Sequence, residues 1–88
     1  MEILYEESFL KDLSNLKDKK VKTKLRSIIE DIKKAENQKC IRNLVRLQDH
    51  KTYYRIRIGN YRLGIEIIDN KIILVRMLHR KDIYKYFP

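Results

Sequence analysis

The sequence predicts an α+β domain in which two helices pack on one face of an antiparallel sheet. Three observations carry the prediction. Apolar residues recur at helical spacing from Phe9 to Ala35, the period changes to two from Tyr54 onward, and only Gly59-Asn60 separates the first two alternating runs. Helical segments followed by consecutive strands, rather than a regular alternation of the two, place the helices on one side of a sheet.

Glu2 to Tyr5 alternates weakly and reads as a short edge strand. Ser8 can cap a helix whose Phe9, Leu13 and Leu16 follow the i, i+4, i+7 spacing of one face. Val21, Leu25, Ile28, Ile29, Ile32 and Ala35 carry a similar stripe onward, with Asp18 as a plausible N-cap, so the two helices read as a hairpin. Asn37 to Cys40 breaks the stripe. Ile41 to Leu47 is ambiguous, with Leu44, Val45 and Leu47 suited to begin a strand after a loop.

Beyond this point Tyr54, Ile56 and Ile58 alternate with Arg55 and Arg57, and Tyr61, Leu63, Ile65 and Ile67 alternate with Arg62, Gly64 and Glu66. Gly59 leads a two-residue link, as a type II′ hairpin prefers. Asp69-Asn70-Lys71 supplies the next turn, and Ile72 to Leu78 a third antiparallel strand. Arg80 to Phe87 is too polar for a central strand and fits a short C-terminal helical turn. The expected order is β-α-α followed by an antiparallel β-meander, all within one domain spanning residues 1–88.

Composition narrows the function. With 88 residues, 21 Lys and Arg stand against 12 Asp and Glu, a formal charge of +9 that attracts nucleic acid, ribosomes or an acidic protein partner. A 43% apolar share supplies one modest core and no large enclosed pocket. No stretch approaches the roughly 20 apolar residues of a membrane span. The acidic start, Met1 to Glu7, does not resemble a secretory signal, so a cytoplasmic location without membrane partners is expected. Cys40 has no second cysteine to pair with, and the two histidines, His50 and His79, are far apart, so neither a disulfide nor a metal site is expected. Two glycines cannot build a Gly-rich phosphate loop, and no cofactor is expected.

The hairpin concentrates charge. With Gly59-Asn60 as the turn, Ile58 faces Tyr61, Arg57 faces Arg62, Ile56 faces Leu63 and Arg55 faces Gly64. Arg55, Arg57 and Arg62 then share one face. Like charges set opposite each other destabilise a sheet, and an anionic ligand accounts for their retention. Arginine suits phosphate because its planar fork donates in two directions and stays charged. Glu66 follows on the same face, as an acceptor for Arg62 or as a base. Gly64 leaves room for a ligand backbone or marks a kink. Lys17, Lys19, Lys20 and Lys22 begin a run of outward lysines that reads either as a solvated face or as a polyanion track.

The run Tyr54-Arg55-Ile56-Arg57-Ile58-Gly59-Asn60-Tyr61-Arg62, followed by His79-Arg80-Lys81-Asp82-Ile83-Tyr84, resembles the RelE/ParE superfamily of bacterial and archaeal toxins. Length and element order resemble it over nearly the whole chain. The resemblance implies an endoribonuclease that cuts mRNA in the ribosomal A site, contacts 16S ribosomal RNA and is held inactive by a RelB-like antitoxin. It implies attack of a 2′-hydroxyl on the adjacent phosphate, giving a 2′,3′-cyclic phosphate and a 5′-hydroxyl.

Carried onto this chain, Arg57 falls where the 2′-hydroxyl proton is removed, Arg55 and Arg62 where phosphate is stabilised and clamped, Arg80 near the leaving 5′-oxygen, and Tyr84 where the substrate is oriented or stacked. Lys81 and Tyr86 are further candidates for RNA contact, since aromatic faces stack on unpaired bases. Arginine is a poor base, so Arg57 suits charge stabilisation better than proton abstraction. His79 has an ordinary pKa suited to acid–base work and stands beside Arg80, although strand alternation sends neighbouring side chains to opposite faces. His50 lies in a loop and reads as solvated, although the resemblance implies that some relatives use a loop histidine, and Cys40 reads as inert. A site of guanidinium groups without a strong base implies weak cleavage of free RNA and much faster cleavage on the ribosome. The alternative within the superfamily is a ParE-like toxin that poisons DNA gyrase through protein contacts. A third is a toxin-derived domain that only binds antitoxin or RNA.

Overall fold

Strand alternation and helical stripe meet in a single apolar layer. In the computed structural model, which describes residues 1–88, the elements are β1 (Glu2–Tyr5), α1 (Glu7–Asn15), α2 (Lys19–Lys34), β2 (Leu44–Arg46), β3 (Tyr53–Ile58), β4 (Tyr61–Ile68), β5 (Lys71–His79) and α3 (Ile83–Tyr86), with a 3₁₀ turn at Gln38–Cys40. The sheet order is β1-β5-β4-β3-β2, with β1 parallel to β5 and every other pair antiparallel. Phe9, Leu16, Val21, Leu25 and Ile32 from the helical segment bury against Ile56, Ile58, Leu63, Ile65, Ile67, Ile72, Leu74 and Met77 from the sheet. Full burial of each such side chain is worth about 1.5–3 kcal/mol, so this layer is the main source of stability. No helix is long and apolar enough to cross a membrane.

Local chemistry explains most boundaries. Asp18 caps α2 by accepting the Lys20 and Val21 amides at 3.0 and 3.1 Å. Gly59 has φ +59 and Asn60 does not adopt a positive φ, as a type II′ turn requires. The β4–β5 link is shorter than the expected Asp69-Asn70-Lys71. Asp69 and Asn70 alone form it, with φ of 49° and 65°, the pair of left-handed residues a type I′ turn needs, and Lys71 already belongs to β5. The ambiguous stretch before it yields only the three residues of β2, paired to β3.

Ser8 does not cap α1. The helix begins at Glu7, Glu6 precedes it without a side-chain cap, and the Ser8 hydroxyl donates to the Val75 carbonyl at 2.6 Å. The physical reason is the edge of β5. β1 pairs only with Lys71 to Leu74, and α1 runs beside the remainder, where its side chains satisfy exposed strand groups. Asp12 does the same, accepting the Met77 amide at 2.9 Å and binding Arg76 through Nε and Nη2 at 2.8 and 3.0 Å.

A β-bulge changes the phase of β5. Gly64 pairs with Arg76 and Ile65 with Leu74, leaving Val75 as the extra residue. Ile72 and Leu74 therefore face the helices together with Met77, and side-chain alternation along β5 is interrupted at Val75. The opposite face is partly covered as well. Ile83 and Phe87 fold back onto it and bury with Leu47, against Tyr53, Val75 and Leu78.

Candidate functional site

The face of the sheet away from α1 and α2 carries the charge. Arg57 and Arg62 are direct cross-strand partners, and Arg55 pairs with Gly64. Arg80 lies just past the end of β5, where its amide donates to the Asn60 carbonyl at 2.7 Å and ties it beside the hairpin tip. Arg62 donates to the Gly59 and Tyr61 carbonyls at 3.0 and 2.9 Å, which fixes its guanidinium at that tip. Burial, followed by the positive charges of Arg57, Arg55 and Arg80, holds Arg62 below the ordinary arginine range, while Tyr84 acts in the opposite direction. Arg62 thus lies within the field of three other guanidinium groups and one phenol.

Gly64 serves neither as ligand space nor simply as a kink. A Cβ there would stand 2.8–2.9 Å from three ring carbons of Phe87, so the glycine makes room for the C-terminal aromatic. Phe87 meets Tyr53 edge-on at 5.5 Å, and Tyr53 meets His50 edge-on at 5.6 Å. Two grooves adjoin at Val45 and Arg55. One, about 410 Å³, is lined by Asn43, Val45, Arg55, Arg57 and Gly59. The other, about 520 Å³, runs from Arg55 and Tyr84 past Phe87 to Gln48 and His50. A third, about 310 Å³, lies between the helices against Leu13, Leu25 and Ile29 and contains none of these arginines.

The remaining candidates are distributed differently. His79 pairs with Tyr61, whose ring it meets edge-on at 5.4 Å, and it therefore sits on the helix side of the strand. Its Nδ1 accepts the Lys81 amide at 3.1 Å, a turn-closing role. Glu66 does not pair with Arg62. It stands opposite Tyr53, with Thr52 Oγ1 at 3.5 Å, and its negative charge, with burial, raises the Tyr53 phenol above the ordinary tyrosine range. Tyr84 and Tyr86 are both exposed, and the Tyr86 ring lies 5.6 Å from the Arg76 guanidinium carbon. Lys81 is exposed in the turn after β5.

Lys17, Lys19, Lys20 and Lys22 are exposed around the start of α2, and Val21 abuts the hairpin tip, 3.7 Å from where a Gly59 Cβ would stand. Lys22 itself lines the groove between the helices. No three His, Cys, Asp or Glu side chains converge to hold a metal ion.

Two features escape a reading of the sequence. Arg76 is held by Asp12, chiefly through their hydrogen bonds, which raise it above the ordinary arginine range. The available signal was an acid at position 12 beside the apolar stripe Phe9, Leu13 and Leu16. His50, read as solvated, is indeed exposed, and it also lines the same groove as Arg55 and Tyr84. Nothing in the local sequence marks that.

The fold that carries this basic cleft, a sheet backed by two helices, is matched among known proteins by toxins of type II toxin–antitoxin systems. The chain belongs to the ParE toxin family of type II toxin–antitoxin systems, whose family model matches residues 3–84. It is 37% identical to Toxin RelE3 of Methanocaldococcus jannaschii across the full length of both chains. It superposes on a chain of the RelB–RelE antitoxin–toxin complex from Methanococcus jannaschii with a TM-score of 0.83 at 36% identity, covering 97% of this chain and 99% of that one. It shares the fold of YoeB from the Staphylococcus aureus dimer, with a TM-score of 0.70 at 22% identity over 90% of this chain and 95% of that one.

Proposed function

We propose that this toxin is an endoribonuclease that cuts mRNA in the ribosomal A site and thereby stops translation. The observation that carries the reading is the register that sets Arg57 opposite Arg62 with Arg55 two residues back on the same face, Arg80 tied beside the hairpin tip and Tyr84 in the groove next to Arg55. Mutually repelling cations held at one end of a sheet form a preorganised receptor for a phosphate whose negative charge grows during reaction. The 2′-oxygen forms a bond to phosphorus, the bond from phosphorus to the 5′-oxygen breaks, and the products are a 2′,3′-cyclic phosphate and a 5′-hydroxyl. The 2′-proton leaves to solvent or a ribosomal group, and the 5′-oxygen takes one up in turn. Arg55, Arg57 and Arg62 stabilise the five-coordinate phosphorus, and Arg80 the departing oxygen. Tyr84 supplies an exposed ring for stacking.

With His79 on the helix side and Glu66 beside Tyr53, this reading assigns neither as the base. Acceleration then rests on electrostatics and on an RNA held in line, which the ribosome can do. Lys17, Lys19, Lys20 and Lys81 are proposed contacts to 16S ribosomal RNA, with cytoplasmic ribosomes as the setting. The partner is a RelB-like antitoxin whose acidic segment covers the arginine face. Incubation with ribosome–mRNA complexes tests the reading: strand breaks bearing cyclic phosphates support it, and intact message with unimpaired translation refutes it.

The match to the ParE family model favours a second reading, a toxin that poisons DNA gyrase. Supercoiling assays decide it. Gyrase trapped on cleaved DNA with message left intact supports this reading over the nuclease.

A further inference from the structure

Resting on the nuclease reading, we propose that the groove beside Arg55 receives one unpaired RNA base next to the scissile phosphate, and that Gln48 and His50 read the edge of that base. A phosphate-binding face alone has no need of this groove. About half of its lining is apolar, from Val45, Leu47, Phe87 and Pro88, the rest is polar and includes Arg46 and Arg55, and the exposed Tyr84 ring lines it as well. At about 520 Å³ it falls within the roughly 300–1,000 Å³ of small-molecule sites. It meets the second groove at Arg55 and Val45, and that second groove carries Arg57. A phosphate held by Arg55 and Arg57 therefore delivers a neighbouring nucleoside to the groove that Arg55 shares with Tyr84. Apolar side chains, a stacking ring and the cations Arg46 and Arg55 together match a nucleobase with its phosphate.

The wall that would read the base is held in place. The Leu47 amide donates to the Tyr53 carbonyl at 2.9 Å, and the His50 amide closes a turn on the Leu47 carbonyl at 3.3 Å. Asp49 takes up the left-handed conformation of that turn at φ 65°, which sets Gln48 at its corner. The edge-on series His50, Tyr53, Phe87 ends against Gly64 in the sheet, so the imidazole is braced by the core of the domain. Gln48 offers a donor and an acceptor, and a neutral imidazole offers one of each, the groups that distinguish base edges.

The test uses the full chain and RNA trinucleotides blocked by 2′-deoxy substitution at the scissile position. Each of the four bases, and an abasic residue, is placed in turn on either side of the phosphate, with binding followed by amide shifts. The expected result is shifts at Gln48, His50 and Tyr84, about tenfold weaker binding of the abasic form, and a preference among bases of about tenfold. Gln48→Ala and His50→Ala flatten that preference without changing abasic affinity, with unperturbed spectra elsewhere confirming the fold. Equal affinity for all bases and the abasic form, shifts confined to Arg57, Arg62 and Arg80, or no binding at all overturns the base pocket. Failure of the nuclease reading is a separate result: wild-type protein leaves ribosome-bound mRNA intact whatever the trinucleotides do.

Discussion

Arg57 and Arg62 face each other across the β3–β4 pair, two like charges in direct register on the face turned away from α1 and α2. Such a pair opposes folding, and the repulsion is relieved when a phosphate enters. Arg57→Gln is therefore expected to raise stability by about 0.5 kcal/mol and to slow mRNA cleavage by about 100-fold. Thermal melts and cleavage rates on the same preparations check this. A variant losing both stability and activity would show that Arg57 is structural.

The Asp12–Arg76 pair lies between α1 and β5, with the Asp12 side chain 8% and the Arg76 side chain 24% exposed. Removing the acid strands the guanidinium and the Met77 amide together. Asp12→Ala should cost about 3 kcal/mol in urea unfolding. Asp12→Asn should cost less, because its amide oxygen still accepts from Met77. Equal costs for the two substitutions would mean that packing, not the polar contacts, holds α1 to β5.

Gly64 and Phe87 are fitted to each other. Gly64→Ala puts a methyl group inside the ring's contact distance and should cost about 1–3 kcal/mol. Combining it with Phe87→Leu should recover part of that cost, since the smaller side chain relieves the clash. Strict additivity of the two changes, measured in a double-mutant cycle, would argue against the contact.

Tyr53 sets an alkaline limit. Its phenol is raised chiefly by the Glu66 charge and then by burial, so above the ordinary tyrosine value of about 10 the folded protein keeps a proton that the unfolded chain has lost. Stability from this group is complete below that value and falls as pH rises through the raised one. Tyr53→Phe should flatten the decline of melting temperature above about pH 10, and an unchanged slope would remove Glu66 as the cause.

Much of this was legible in the sequence, because periodicity reports which side chains are buried. The register that sets Arg57 against Arg62 follows from the two-residue link and from alternation alone, and the Asp18 cap follows from side-chain chemistry. Alternation assumes an unbroken ladder, however. It therefore could not disclose that Val75 is an extra residue, which shifts the second half of β5. Ser8 was misread because a helix cap is a local inference, whereas its hydroxyl is claimed by a strand 67 residues away. Gly64 was open for the same reason: the ring that fills its space arrives from the last turn of the chain. His50 reached the groove through rings at positions 53 and 87, a relation that no spacing encodes.

The most direct test of the central claim is primer extension on mRNA bound to ribosomes, comparing wild type with Arg62→Ala and Arg80→Ala, beside the same mRNA free in solution. Codon-periodic cleavage by wild type, much slower on free RNA and reduced about 100-fold or more in both variants, is the predicted result. Equal cleavage of free and ribosome-bound RNA, or variants as active as wild type, would contradict the account.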